Sequence, residues 1–283
     1  MISKEYAFET PRQLSEALGL LEKYGDDATV LAGGMSLVPT MTLGLVQPEV
    51  VISLNHIPNL DYVKEDGPLL RIGALTRHDT VRKNPLIQKH CALLSEAATC
   101  IGDVQIRHRG SIGGSIAHAD PAADYPPVLL VLGAHIRLQR AKGERTVAAS
   151  AFFKDLMQTA LEGGELVTEI QVPKLPPDAG SAYLRLHRVE GNFAIVAAAA
   201  VVEKAFRSVR LGLAGVGPKA VLVDVTARFR NGFTEEATTG MRADALQASG
   251  DAYGDLNGDA DYHRAMAQVY AERAIRTAAS RVR

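Results

Sequence analysis

Two short stretches of the chain are built from residues whose lack of a side chain is their chemistry: Ala32-Gly33-Gly34-Met35-Ser36-Leu37 and Ser111-Ile112-Gly113-Gly114-Ser115. A diphosphate needs several backbone N–H donors aimed at one place, an approach that side chains obstruct. Paired glycines let the main chain come close and take up positive φ, and a serine adds a hydroxyl donor. Two such loops could grip one diphosphate from both sides. Each alone also reads as a tight turn between a strand and a helix.

The elements around the loops must aim them. Leu14, Ala17, Leu18 and Leu21 recur at helical spacing between Pro11 and Gly25, which predicts a short amphipathic helix. The apolar run 28–32 then breaks on Gly33-Gly34, a segment around Pro39 follows, and a second apolar run occupies 50–54, giving strand, glycine turn, short helix, strand. Further on, 69–74 reads as a strand, Thr76-Arg-His-Asp79 as a capping box opening a helix, and 85–98 as one more helix. Residues 121–127 read as a loop leading into the apolar run 128–132, and 134–139 with 145–147 as a hairpin across Lys142-Gly143. The proline-rich stretch 173–180 predicts a linker. Beyond it lie three strand-like stretches, 181–187, 194–202 and 208–214, then helices ending with 262–281. The polar, glycine-bearing stretch 250–261 predicts a mobile loop.

Composition removes whole classes of function. The 31 Lys and Arg nearly balance the 32 Asp and Glu among 283 residues, so no single-sign field favours nucleic acid or an anionic membrane. The longest uncharged apolar stretch, 193–202, is too short for a transmembrane segment, and residues 1–11 do not read as a signal peptide. The two cysteines, Cys91 and Cys100, predict a reducing compartment, and the chain is expected to be cytoplasmic. Two thiolates cannot ligate a common iron–sulfur cluster, which needs four, so any such cluster must lie on another chain.

The two loops also carry a resemblance. Ala32 to Leu37, followed by Pro39, Met41, Pro48 and Val51-Ile-Ser-Leu54, is similar to the first FAD motif of the molybdenum-hydroxylase flavin subunits. Gln105-Ile-Arg-His-Arg-Gly-Ser-Ile-Gly-Gly-Ser115, followed by Ala119-Asp-Pro-Ala-Ala-Asp124, resembles the second. The similarity extends from Phe8-Glu-Thr-Pro11 to Asp261-Tyr-His-Arg264, so the chain is identified as a member of the FAD-binding medium-subunit family, of the carbon-monoxide dehydrogenase and xanthine dehydrogenase type.

That resemblance implies an α+β fold of the p-cresol-methylhydroxylase-like kind. Two α/β FAD-binding subdomains (1–55 and 56–176) are followed by a C-terminal three-stranded sheet with helices (177–283). It implies an FAD whose pyrophosphate lies between Ala32, Gly33, Gly34, Met35, Ser36 and Leu37 on one side and Ser111, Ile112, Gly113, Gly114 and Ser115 on the other. Asp124 matches a family aspartate that contacts the cofactor. A carboxylate repels a diphosphate, so a hydroxyl or amide of FAD is its expected partner, with a helix N-cap as the other reading. Ile101 and Val167 fall where the family sets apolar groups or backbone against the cofactor, and either also reads as plain core. Arg185 stands near the flavin ring where lysine is usual, and Phe193 where a large aromatic is common. Arg185, Ser53 in place of a frequent aspartate, and Ser111 in place of threonine are departures from the pattern. Arginine keeps the charge, but its planar fork is not an ammonium.

Nothing catalytic or metal-binding is implied for this chain. In the complexes it resembles, a large subunit carries the molybdenum–molybdopterin cofactor, a small subunit carries iron–sulfur clusters, and the flavin passes electrons to an external acceptor. A dimer of heterotrimers is the implied assembly. The other readings are a free-standing flavin oxidase or reductase of the same fold, and a scaffold that has lost FAD. Gly215-Val-Gly217-Pro-Lys-Ala220 satisfies a loose dinucleotide pattern, but Pro218 intrudes and a strand-end turn accounts for it better. His118-Ala-Asp120 lacks a third metal ligand nearby, and no Ser/His/Asp or Cys/His set for nucleophilic catalysis is convincing.

Overall fold

The computed structural model describes residues 4–283. Its first unit holds β1 (Ala7–Glu9), α1 (Leu14–Tyr24), β2 (Ala28–Leu31), α2 (Leu37–Thr42) and β3 (Val50–Ser53). The strands pair in parallel in the order β1-β3-β2. As the central strand, β3 is buried along its whole length, and α1 lays Ala17, Leu18 and Leu21 against Val50 and Ile52. A parallel pair cannot be closed by a tight hairpin. The chain therefore leaves β2 through Gly33-Gly34, runs along α2 and returns as β3.

The second unit begins with β4 (Val63–Asp66) and β5 (Leu69–Gly73), followed by six short helices: α3 (His78–Lys83), α4 (Pro85–His90), α5 (Ala92–Cys100), α6 (Val104–Arg109), α7 (Ile112–His118) and α8 (Tyr125–Val131). Then come β6 (His135–Arg140), β7 (Gly143–Ala148), α9 (Ala149–Phe152), the small ribbon β8 (Phe153–Asp155) with β9 (Gln158–Thr159), and β10 (Leu166–Pro173). Five of these strands form an antiparallel sheet in the order β4-β5-β10-β6-β7, with Leu70, Ile72, Ile136 and Ile170 in one core with Leu93, Ile112, Ile116 and Tyr125.

Several local expectations are corrected here. The capping box does not form: α3 starts at His78, and the Thr76 hydroxyl bonds to the backbone of Tyr62 instead, accepting from its N–H (3.1 Å) and donating to its carbonyl (3.0 Å). Asp79 turns to Arg82 and Lys83. The helix expected over 85–98 is two helices broken at Cys91 (φ −156°, ψ 56°), the first capped by the Asn84 side chain. The loop expected over 121–127 ends early, because α8 starts at Tyr125 and carries its prolines in the first turn, where missing N–H groups do no harm.

The third unit is an antiparallel sheet of β11 (Gly180–Leu186), β12 (Val196–Val202), β13 (Val209–Ala214) and β14 (Val221–Asp224), covered by α10 (Glu235–Ala248) and α11 (Ala260–Ser280). The expected three strands are thus four: the short apolar run at 220–223 opens β14, a four-residue edge strand alternately half-buried and exposed. Residues 250–261, expected to be a mobile loop, turn about Asp255, whose carboxylate accepts from the Asn257 and Gly258 amides. No helix among the described residues is long and apolar enough to cross a membrane.

All seven residues of β12 are buried because the strand has cores on both faces. Ala197, Ala199 and Val201 join the core of the second unit, while Val196, Ala198, Ala200 and Val202 join that of α10 and α11. On neighbouring β13, a Cβ added at Gly212 would lie 2.3 Å from the Pro127 carbonyl oxygen, so glycine is what lets α8 lie down on this sheet. Gly212→Ala is expected to cost about 1–3 kcal/mol through overpacking, read as a lowered midpoint in chemical or thermal unfolding; an unchanged midpoint would show that α8 can move away freely.

His78 is a histidine shut into the second unit. Its Nδ1 lies 3.0 Å from the Tyr125 hydroxyl, and burial, followed by the charges of Arg77 and Arg107, pushes it down to about 4 from an ordinary 6.5. Between those values the unfolded chain binds a proton that the folded chain refuses, so stability is fully present above pH 6.5 and falls as the pH drops. The loss should reach roughly 2 kcal/mol by about pH 5. His78→Gln should flatten this part of the stability profile, and an equally steep profile in the variant would place the acid sensitivity elsewhere.

Candidate cofactor site

The two glycine loops touch. A Cβ on Gly33 would fall 2.3 Å from the Arg109 carbonyl oxygen and 2.6 Å from the Gly110 Cα, which is backbone packed on backbone. On the other side of the seam, a Cβ on Gly114 would come within 3.5 Å of the Ala32 Cβ. Gly34 takes φ +78°, a left-handed value that turns the chain out of the β2 direction, and its carbonyl accepts from Val38 as α2 begins.

The loops are not alike in what they offer. In the first, the amides of Gly33, Gly34, Met35 and Ser36 donate to no acceptor among the described residues, and the Ser36 hydroxyl makes no cap bond. In the second, most donors are already engaged. Ile112 N–H reaches the Thr76 carbonyl (3.0 Å), Gly113 N–H the Ala74 carbonyl (2.8 Å) and Ser115 N–H the Ser111 carbonyl (3.0 Å). The sequence read this stretch as a loop, yet Ser111 is an N-cap accepting from Gly114 N–H (3.3 Å), and Ile112 to Ser115 form the opening of α7. Gly113 is small for a structural reason, since a Cβ there would strike Ala74 at the end of β5.

Asp124 and Arg185 come together from different units. Asp124 is only 4% exposed, and its Oδ1 accepts from the Tyr183 hydroxyl (2.6 Å) and from Arg185 Nη1 (3.3 Å). It occupies the N-cap position of α8, but its side chain makes no cap bond there and turns to Tyr183 and Arg185 instead. Burial raises its pKa, with the Arg185 charge pulling the other way. The Arg185 side chain is 3% exposed; Nη1 also donates to the Asn192 carbonyl (3.0 Å), but Nε and Nη2 are buried without a partner. Unused donors on a buried cation are costly, and these two are the donors Arg185 could offer an acceptor. Tyr183, invisible to motif reading, completes this cluster.

The remaining expected residues surround the loops at different depths. Ile101 is half-buried, and Arg107 holds the carbonyls of Ile101 and Gly102 at 2.8 Å each. The turn at Gly191, with φ +87°, packs against Gly102, and Phe193 beyond it is 55% exposed. Val167 is buried at an irregularity in β10 and belongs to the core; the next carbonyl, that of Thr168, accepts from Ala74 N–H beneath Gly113. Met35 stays partly exposed, and Leu37 opens α2.

Residues 4–175 match the family model described as the FAD binding domain in molybdopterin dehydrogenase, and 181–278 match the CO dehydrogenase flavoprotein C-terminal domain. The carbon monoxide dehydrogenase medium chain of Hydrogenophaga pseudoflava is 39% identical over 287 aligned residues, covering 99% of each chain. The nicotine 6-hydroxylase medium subunit of Paenarthrobacter nicotinovorans is 31% identical over 97% of each. A solved structure of the Hydrogenophaga pseudoflava carbon monoxide dehydrogenase, in a form lacking the Mo-pyranopterin moiety of its cofactor, matches with a TM-score of 0.95 at 38% identity and covers 100% of both chains. The α+β architecture, an FAD-binding region followed by an antiparallel sheet with helices, is that of these relatives. With both halves matched and one relative aligned almost end to end, the chain belongs to the FAD-binding medium-subunit family of the molybdenum hydroxylases, of the carbon-monoxide dehydrogenase type.

Proposed function

We propose that this chain is the FAD-carrying electron-transfer subunit of a molybdenum, iron–sulfur and flavin dehydrogenase complex. The observation that carries the reading is the seam itself: a run of unpartnered amides at Gly33 to Ser36, pressed by its glycine against the backbone that leads into Ser111. Those amides and the Ser36 hydroxyl suit a diphosphate, with Ser111, Gly114 and Ser115 closing the far side. Because Ile112 and Gly113 have their amides tied into the fold, their role is to set the loop's path rather than to donate.

The free Nε and Nη2 of Arg185 fit an acceptor of the flavin ring, and Ile101 and Phe193 fit its apolar surface. Asp124 acts chiefly by holding Arg185, which places a buried, partly compensated positive charge on the ring's side of the site. Val167 contributes through the backbone that carries Ala74 and Gly113. A bound flavin accepts electrons singly and releases them singly or in pairs, and the protein supplies orientation and local charge.

The chain's own cysteines are poor candidates for cluster ligands. Burial pushes Cys91 up to about 12 and Cys100 up to about 11, so both stay protonated thiols. The iron–sulfur clusters and the molybdenum–molybdopterin cofactor are accordingly assigned to a small and a large partner subunit, in a dimer of heterotrimers. End-to-end similarity to a carbon monoxide dehydrogenase medium chain supports that assembly. Two free thiols support a cytoplasmic setting.

Denaturing the purified complex should release one FAD for each copy of this chain, measured by flavin absorbance. In Gly114→Val the added side chain projects into the seam against the Ser111 hydroxyl and beside Ala32, both side-chain atoms that can give way, and flavin content should fall at least about tenfold while far-ultraviolet dichroism and the partner cofactors are unchanged. Gly33→Val is the less clean probe, because its Cβ strikes backbone. A complex complete in its other cofactors but devoid of FAD, or normal flavin in Gly114→Val, would refute the reading.

A further inference from the structure

We infer that Arg77 and Asn55 form a staple across the two glycine loops and act as positioning residues for the diphosphate of FAD. The inference rests on the flavin reading and adds two residues to it. Asn55 follows β3, and its Nδ2 donates to the Ala32 carbonyl (2.9 Å) and to Ser53 Oγ (3.1 Å). Its Oδ1 accepts from Arg77 Nη2 (2.9 Å), and Arg77 Nη1 donates to the Arg109 carbonyl, the same oxygen against which Gly33 is packed. One continuous chain of hydrogen bonds therefore runs from the start of the first loop, through two side chains, to the start of the second.

The consequence follows from peptide geometry. The Ala32 carbonyl and the Gly33 N–H belong to one planar trans unit and point in opposite directions. Drawing the carbonyl toward Asn55 turns the Gly33 N–H to the side opposite Asn55, at the head of the run of amides that lack acceptors. Arg77 fixes the second loop at the same distance. It is a charged donor to a neutral carbonyl, which is the stronger class of such bonds.

Charge supports the same assignment. Among the described residues no carboxylate lies within ion-pair distance of Arg77 or of Arg109; Asp61 acts on Arg77 only from beyond that distance, and the repulsion between the two guanidinium groups outweighs it. Elsewhere in this protein arginines commonly pair with acids, Arg145 with Glu165 and Arg228 with Asp244 among them. An excess of positive charge at the seam favours an anion there. Both members of the staple are chemically specific. Asn55 must donate and accept at once, and Arg77 must reach two acceptors from one planar group, which an ammonium does poorly.

The test measures FAD dissociation from the full chain in its complex, by recovery of flavin fluorescence, together with visible circular dichroism of the bound flavin and thermal unfolding of the FAD-free protein. Wild type should hold FAD. Arg77→Gln and Asn55→Ala should each speed dissociation about tenfold, the loss of one charge-assisted bond, and should change the flavin dichroism with little change in FAD-free unfolding. Arg77→Lys should not restore retention, and the double variant should be no faster than the faster single one, since a broken chain cannot be broken again. Wild-type dissociation in both single variants, full retention in Arg77→Lys, or fully additive effects would overturn the staple alone. A wild-type complex that takes up no FAD would overturn the flavin reading and the staple with it. Should Arg77→Gln fail to fold, Asn55→Ala, which leaves the arginine in place, decides the matter.

Discussion

At Gly33 two segments nearly eighty residues apart in the chain press main chain against main chain, with no room for even a methyl group. That approach fixes the mutual placement of the three-stranded parallel sheet and the helices packed on the five-stranded one. Because α7 is anchored in turn by Gly113 on Ala74, the seam is registered to β5 and β10 rather than to flexible segments. Sites mounted on regular elements hold their geometry better than sites on free loops. What reads as a pair of loops is in fact one open run of amides facing a helix start whose donors are mostly committed.

The second organising feature is electrostatic. A carboxylate and a guanidinium buried together are costly to desolvate, and their mutual attraction offsets this only with good additional partners. Asp124 has the Tyr183 hydroxyl; Arg185 has one backbone carbonyl and two donors left over. The imbalance lies on the arginine, at the junction of units two and three. A lysine in that place would present its hydrogens in every direction, whereas the planar fork leaves its free edge in one plane.

Much of this was legible in the residues because the signals were local. The α1 stripe, the apolar runs of β2 and β3, and the Lys142-Gly143 hairpin each depend on near neighbours only. The capping box failed because Thr76 had a better partner in Tyr62, fourteen residues back in the chain, and the 85–98 helix is broken at Cys91, next to a His90 carbonyl that accepts from the distant Leu175 N–H. Strand β14 rests on a run of only four apolar residues, 220–223, too short to tell a strand from a turn until it pairs with β13. In the site, glycine pairs advertise themselves. Asn55, Arg77 and Tyr183 do not, because a hydrogen bond to a distant carbonyl or carboxylate leaves no pattern along the sequence.

The doubly faced strand β12 bears on how such chains are inherited. Tyr183, Ala194, Ala197, Ala199, Val201 and Ala214 lie past the proline-rich stretch at 173–180, yet they sit in the core of what comes before it. Cutting there would strip one side of a strand that has no solvent-compatible face. The visible seam in the sequence is therefore not a thermodynamic one, and the two halves should melt, and be passed between larger proteins, only as a pair.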